Sequence, residues 1–213
     1  MQRSHTLPAA LLVILTALTG CASNNPVNSR LDSSGLTVVT LDNVVVLSRS
    51  TPHLTTAARD YAYLGPVEIN RMGKLQHYIW LGMATTVDRK LARETDTKAV
   101  TLALLLDGTP MSLPLTNWDT ELLDFPPYKT GVPVYESLGA PVSLDQISRI
   151  AQTNSIEIYV INDEGTSAGY QQWEDGQWLQ WTAFSGRHAA APVTDPDAIP
   201  EQALGANSEK LEE

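Results

Sequence analysis

Over much of this chain apolar residues recur in steps of two, and the alternation is interrupted at short intervals by Gly, Asp, Asn and Pro. A period of two puts successive side chains on opposite faces of a strand, while the interrupting residues suit the backbone of tight turns. The pattern therefore predicts antiparallel strands joined by hairpins. Leu36 to Leu41 and Val44 to Ser48 flank Asp42-Asn43 and read as a first hairpin. Arg59 to Asn70 and Leu75 to Thr86 form a longer one around Arg71 to Lys74, with Gly73 in the turn. Within it, Gly65-Pro66 suggests a bulge or an exposed edge. Val100 to Leu106 and Thr109 to Leu115 join through Asp107-Gly108, and Pro110 and Pro114 confine the second of these strands to an edge.

Asn117 to Pro141 is rich in proline and reads as a loop with a short strand near Val132 to Glu136. Ser143 followed three residues later by Gln146 is a capping-box signature. Leu144, Ile147, Ile150 and Ala151 then share one helical face, predicting a short helix to about Thr153. Ser155 to Asn162 follows as a strand, and Ala168 to Phe184 reads as a last hairpin around Asp175-Gly176. The expected fold is mostly β: an antiparallel sandwich or curved sheet with one short helix. An α+β domain whose helix covers one sheet face is the alternative.

The amino terminus carries a different message. Arg3 precedes an apolar run, Leu7 to Leu18, which is shorter than the roughly 20 residues of a membrane-spanning helix and has the length of an export signal. Leu18-Thr19-Gly20-Cys21 then resembles the lipobox of bacterial lipoproteins. The resemblance implies that residues 1–20 are removed and that Cys21 is diacylated, becomes the new amino terminus and is acylated again. Three acyl chains, at about 0.8 kcal/mol per buried methylene, hold a protein on a bilayer far more firmly than one. Ala22 and Ser23, rather than an aspartate, follow the cysteine, which in the enterobacterial pattern implies the periplasmic face of the outer membrane.

Residues 21–35 are rich in Asn, Ser, Pro and Gly and read as a flexible tether, residues 36–188 as one β-rich domain, and residues 189–213 as an acidic disordered tail.

Charge and composition narrow the chemistry. The formal net charge is −10, and loss of Arg3 with the signal makes the balance one unit more acidic, which disfavours nucleic-acid partners. The single cysteine lies at the lipobox, so the domain has no thiol for a disulfide, a metal or a nucleophile. His53, His77 and His188 are far apart and make no metal motif, and no glycine loop for phosphates is present, so neither metal nor cofactor is expected. Ser185-Gly186 near His188 lacks the strained nucleophile turn of serine hydrolases.

Asp60, Glu68, Asp88 and Glu157 lie in or beside predicted strands, where two could act as acid and base across a cleft. The simpler account makes them solvated or partners of Arg59, Arg71 and Arg89.

The predicted last hairpin carries four large aromatics. A two-residue Asp175-Gly176 loop would face Trp173 with Trp178 on one side and Tyr170 with Trp181 on the other. Gln171 and Gln180 would border the first pair, giving a flat surface rimmed by amides, suited to a protein partner or a sugar ring. A Trp pair beside a turn also stabilises it by about 0.5 to 1.5 kcal/mol with nothing bound. The expectation is a noncatalytic lipoprotein that binds or scaffolds in the envelope, with an envelope protein as partner. Glycan hydrolysis by paired carboxylates and saccharide binding at Trp173, Trp178, Gln171 and Gln180 are the alternatives.

Overall fold

The computed structural model describes residues 26–31, 35–50, 57–87, 98–118, 122–173 and 177–189, with side chains as far as Arg187. In chain order its strands are β1 (Val27–Leu31), β2 (Leu36–Leu41), β3 (Val45–Ser50), β4 (Arg59–Arg71), β5 (Lys74–Thr85), β6 (Ala99–Leu106), β7 (Thr109–Pro114), β8 (Thr116–Asn117), β9 (Val134–Val142), β10 (Ile156–Asn162) and β11 (Ser167–Gln172). The helices are α1 (Leu144–Gln152) and α2 (Gln180–Ala189), the latter preceded by a 3-10 turn at Gln177–Leu179.

All the strands join one antiparallel sheet, in the order β7-β6-β10-β11-β3-β4-β5-β9-β8, with β2 also pairing β4 and β1 pairing β2. The two ends of that order are consecutive in the chain. Leu115 still donates its N–H to Val100 on β6, at 2.9 Å, and the next residue, Thr116, pairs with Gly139 on β9. The sheet thus curls back on itself into a nearly closed barrel. This is the curved-sheet form of the expected fold, not the sandwich.

Two hairpins reverse as their sequences require. Met72-Gly73 and Asp107-Gly108 all have positive φ, the conformation that lets a two-residue turn follow the twist of its strands. Burial divides the sheet into two halves. β6 and β10 alternate between buried and accessible residues and so bury one face. β4 and β5 are buried over long continuous runs and so are covered on both. Inside the barrel, Leu47, Leu64, Leu81, Leu102, Leu104, Leu138 and Ile158 pack into a filled core.

Several local expectations are corrected. β2 and β3 are not a hairpin: both pair with β4, as one interrupted strand. Thr40 faces Val67 and Val45 faces Leu64, so Leu41 to Val44 stand opposite only Gly65 and Pro66. The extra residues bulge outward at Asp42 and Asn43. The bulge therefore lies in the partner of Gly65-Pro66, which itself stays in straight register with Trp80 and Ile79 on β5. Proline is tolerated in this central strand because the ladder on its other side is already broken. Tyr128 fills the break, its hydroxyl donating to the Pro66 carbonyl at 2.5 Å and accepting from the Leu41 N–H at 3.2 Å.

The short strand expected near Val132 to Glu136 is instead the longer β9, because β5 offers it a full edge. Val27 to Leu31, within the expected tether, pairs with β2 along its whole length as β1. The predicted Ala168–Phe184 hairpin does not form. Its first arm, β11, pairs with β10 across Asp163 to Thr166, and its second arm is the 3-10 turn and α2.

The first helix is as expected, with a complete capping box at Ser143 and Gln146 and buried Ile147 and Ile150. There are thus two helices among the described residues; they pack chiefly on each other, and α2 also meets β2. They lie at the end of the barrel where Arg187 of α2 reaches Glu68 at 2.8 Å. The signal, Cys21 and residues 190–213 lie outside the described residues. Among those described, no helix is long and apolar enough to cross a membrane.

Candidate functional site

β4 carries Tyr61, Tyr63, Gly65, Val67 and Ile69 on its outward face, and register extends that face through Gly82 and Trp80 on β5 to Gly139 on β9. Two aromatic groups sit on it. In the first, the Trp80 and Tyr128 rings lie 5.6 Å apart and Tyr78 meets Trp118 edge-on at 6.1 Å. A side chain at Gly65 would collide with Tyr128, one at Gly82 with Trp80 and one at Gly139 with Trp118 and Leu122. Glycines opposite aromatics thus let Trp118, Leu122 and Tyr128 lie directly on the sheet. Burial and the hydrogen bond from Leu41 act oppositely on the Tyr128 phenol, and burial wins, raising its pKa well above the usual range.

The second group is partly exposed, through Trp173 and Tyr61. Tyr61 and Tyr63 stack with centroids 6.3 Å apart, and the Trp173 indole leans on Tyr61 at 5.8 Å. Arg59 lies 5.8 Å from the Trp173 ring, a cation–π contact that helps fix the indole. Trp173 is 49% exposed, so about half of its side chain meets solvent. Its N–H bonds to Val46 C=O at 2.9 Å, continuing the pairing of β11 with β3.

Beside this platform is a cleft of about 390 Å³. Val46 and Tyr63 line it, and the bulge contributes Asp42 and Asn43 to its wall. Lys129 to Gly131 form another side, and Gln177 and Gln180 border it from the start of α2. Gln177 Oε1 accepts from Val46 N–H at 2.6 Å, tying the 3-10 turn to β3. The Gln180 Oε1 atom is buried and has no hydrogen-bond partner, as are Trp178 Nε1 and Trp181 Nε1. Burial raises the Tyr63 pKa, partly offset by the hydrogen bond from Val132 N–H.

The sequence-predicted site is therefore rearranged. Trp173 and Gln171 lie on the outward face, Gln171 in register with Ser48 and hence with Tyr61. Gln180 reaches the cleft from α2. Trp178 does not face Trp173: it is 7% exposed and packs against Trp181 at 5.0 Å. The reason is local, since Gln177 to Ala189 turns helical and buries Trp178, Trp181 and Phe184 as helix-face residues.

Tyr61, Tyr63, Asn43, Lys129 and Gln177 were not singled out as site residues. Tyr61 and Tyr63, two apart on one strand, were the available signal, whereas the others depend on tertiary contact.

The candidate carboxylates do not converge. Asp60 faces inward at the open end of the barrel and pairs with Arg49 at 2.6 Å. Arg49 also lies 5.4 Å from the buried Tyr170 ring. Burial lowers the Arg49 pKa, but Asp60 and Tyr170 raise it past its ordinary value. Tyr170 is raised chiefly by burial, against the opposing effect of Arg49. Glu68 is 4% exposed and lies between Arg187 and His77, the latter at 3.2 Å.

Glu157 is exposed on β10 and accepts from Tyr159 at 2.8 Å. Asp88, Arg89 and His53 lie outside the described residues, as does the His188 side chain. Asp60 and Glu68 are thus held by Arg49 and Arg187, and Arg71 donates to the Leu122 carbonyl. Ser185 donates within its helix to Trp181 and Thr182 carbonyls. Among the described residues no group of three His, Cys, Asp or Glu side chains could hold a metal. The chain matches no protein-family model, no curated protein and no solved structure.

Proposed function

We propose that this chain is a noncatalytic binding module of the bacterial envelope. On this reading it is lipid-anchored through Cys21 to the periplasmic face of the outer membrane and captures its ligand on the outward face of β3 and β4. The observation that carries the reading is the half-exposed Trp173, held by Tyr61 and Arg59 and bonded through its backbone to Val46, which lines the amide-bordered cleft. An exposed, preorientated indole offers a large apolar contact at little ordering cost.

Hydrolysis by Asp60 with Glu68 is disfavoured by their separation. Asp60 and Glu68 are eight residues apart on one strand, about 27 Å at the usual rise, and each is held by a cation. Glycosidase pairs stand within about 10 Å.

The test uses the acylated full-length protein in cells, with a photocrosslinking amino acid at position 173 and, as a control, at the exposed Tyr159 on β10. The reading expects a specific adduct from position 173 and none from 159. Equal labelling from both positions, or none, refutes the site. Cys21→Ser should release the protein from the membrane fraction, and retention of that variant on the membrane refutes the anchor.

A further inference from the structure

The geometry points to a saccharide as the ligand of the Trp173 platform and its cleft, an inference that rests on the binding role proposed above. Three observations carry it. The first is the pairing of a flat apolar ring with amides. Trp173 leaves about half of its side chain in solvent, and Gln177, Gln180 and Asn43 border the cleft that Val46, the residue bonded to the Trp173 backbone, also lines. A pyranose ring has the same division, with C–H groups on its faces and hydroxyls around its edge. Stacking on the indole while its edge meets amides satisfies both parts.

The second is the chemistry of the amides that border the cleft, Asn43, Gln177 and Gln180, each of which carries both a donor and an acceptor. A hydroxyl both donates and accepts and so matches such groups, whereas an apolar ligand would cover them unpaired. The third separates a sugar from an extended peptide. A peptide that added to the sheet would need free backbone groups at the cleft. At Val46 both are engaged, the N–H by Gln177 and the C=O by the Trp173 N–H. The chain itself has capped the main chain of β3 at that point. Asp42 and Lys129 bring opposite charges to the rim, so the cleft matches a neutral or N-acetylated sugar better than an acidic one. Its volume of about 390 Å³ is within the range of small-ligand sites, enough for one or two rings.

The experiment is titration of the full-length protein in detergent with cellotetraose, maltotetraose and chitotetraose, each to about 10 mM, followed by tryptophan fluorescence and calorimetry. The expected result is saturable binding of at least one tetrasaccharide with a change in indole emission. Trp173→Ala and Gln180→Met should each weaken it by about tenfold or more with melting temperatures within a few degrees of the parent.

Absence of binding by all three sugars, together with a specific protein adduct from the crosslinker at position 173, overturns the saccharide and leaves the binding role standing. Absence of both overturns both. Sugar binding that persists unchanged in Trp173→Ala and Gln180→Met places the saccharide elsewhere and also overturns the inference. If Gln180→Met fails to fold, Tyr61→Ala takes its place, because Tyr61 is partly exposed and supports Trp173 from the rim.

Discussion

The outward face of β4 and β5 carries two aromatic clusters built from the same residue types with opposite fates. Around Trp80, Trp118 and Tyr128 the rings are covered, three glycines make room beneath them, and the Tyr128 hydroxyl bonds to the sheet backbone. Around Tyr61 and Trp173 the described residues leave an indole half in solvent. The difference is not composition but what the chain lays over the sheet. Covered aromatics contribute to stability through burial and packing, at roughly 25 cal/mol per Å². An open one forgoes part of that contribution and keeps its surface for something else.

That contrast can be broken most forcefully at its buried half. Trp80→Ala or Trp118→Ala should cost about 3–5 kcal/mol, because each empties a fully buried site. Chemical denaturation is the measurement, and a cost below about 1 kcal/mol would mean that the covered cluster is not structural in the sense drawn here. Next comes Gly65→Ala, whose new methyl meets the Tyr128 ring. Overpacking of this kind costs about 1–3 kcal/mol, and a neutral result would show that the Tyr128 segment can move off the sheet.

Tyr128→Phe keeps the ring and removes only the bridge between Leu41 and Pro66, for an expected loss of about 1–3 kcal/mol. This variant also has a pH signature. Tyr128 and Tyr170 have folded pKa values raised above the ordinary 10.0, so the folded state holds these protons more tightly than the unfolded chain. Their contribution to stability is complete below pH 10 and is lost as pH rises above it. Denaturation midpoints measured from pH 8 to 11 should fall above about pH 10 in the parent and fall less in Tyr128→Phe. Parallel curves would contradict the assignment.

The smallest effect on stability belongs to the open half. Trp173→Ala should change stability by no more than about 0.5–1 kcal/mol while removing ligand capture. A large loss of stability there would make Trp173 one more structural aromatic and dissolve the comparison.

How far the sequence foretold this follows from which forces are local. The hairpin at Arg59 to Thr85 was legible because Tyr, Ile, Val and Trp flank a glycine turn, and α1 was legible because Ser143 and Gln146 cap each other within four residues. β2 and β3 were misread as a hairpin because Asp42-Asn43 serves equally well as a turn or a bulge. Only the presence of a long β4 able to pair with both halves decides for the bulge. Asp175-Gly176 misled in a similar way. Trp178, Trp181 and Phe184 fit either a strand or a helix face, and their burial in the core favours the helix.

Of the site, Trp173, Gln171 and Gln180 were visible as an aromatic residue among amides. Their true neighbours Tyr61 and Tyr63 lie more than a hundred residues away in the chain, and no period or motif could join them.

By itself the sequence determined a mostly β chain, the turn positions of its clearest hairpins and the capped start of its first helix. Each of these depends on backbone preferences that act within a few residues. The tertiary structure alone decided that the sheet closes almost into a barrel, that one aromatic cluster is covered and the other left open, and that a bulge and the start of a helix frame a cleft between them. Those outcomes depend on which strand finds which edge and on what remains to cover the sheet afterwards, a competition among distant segments that local preferences do not encode.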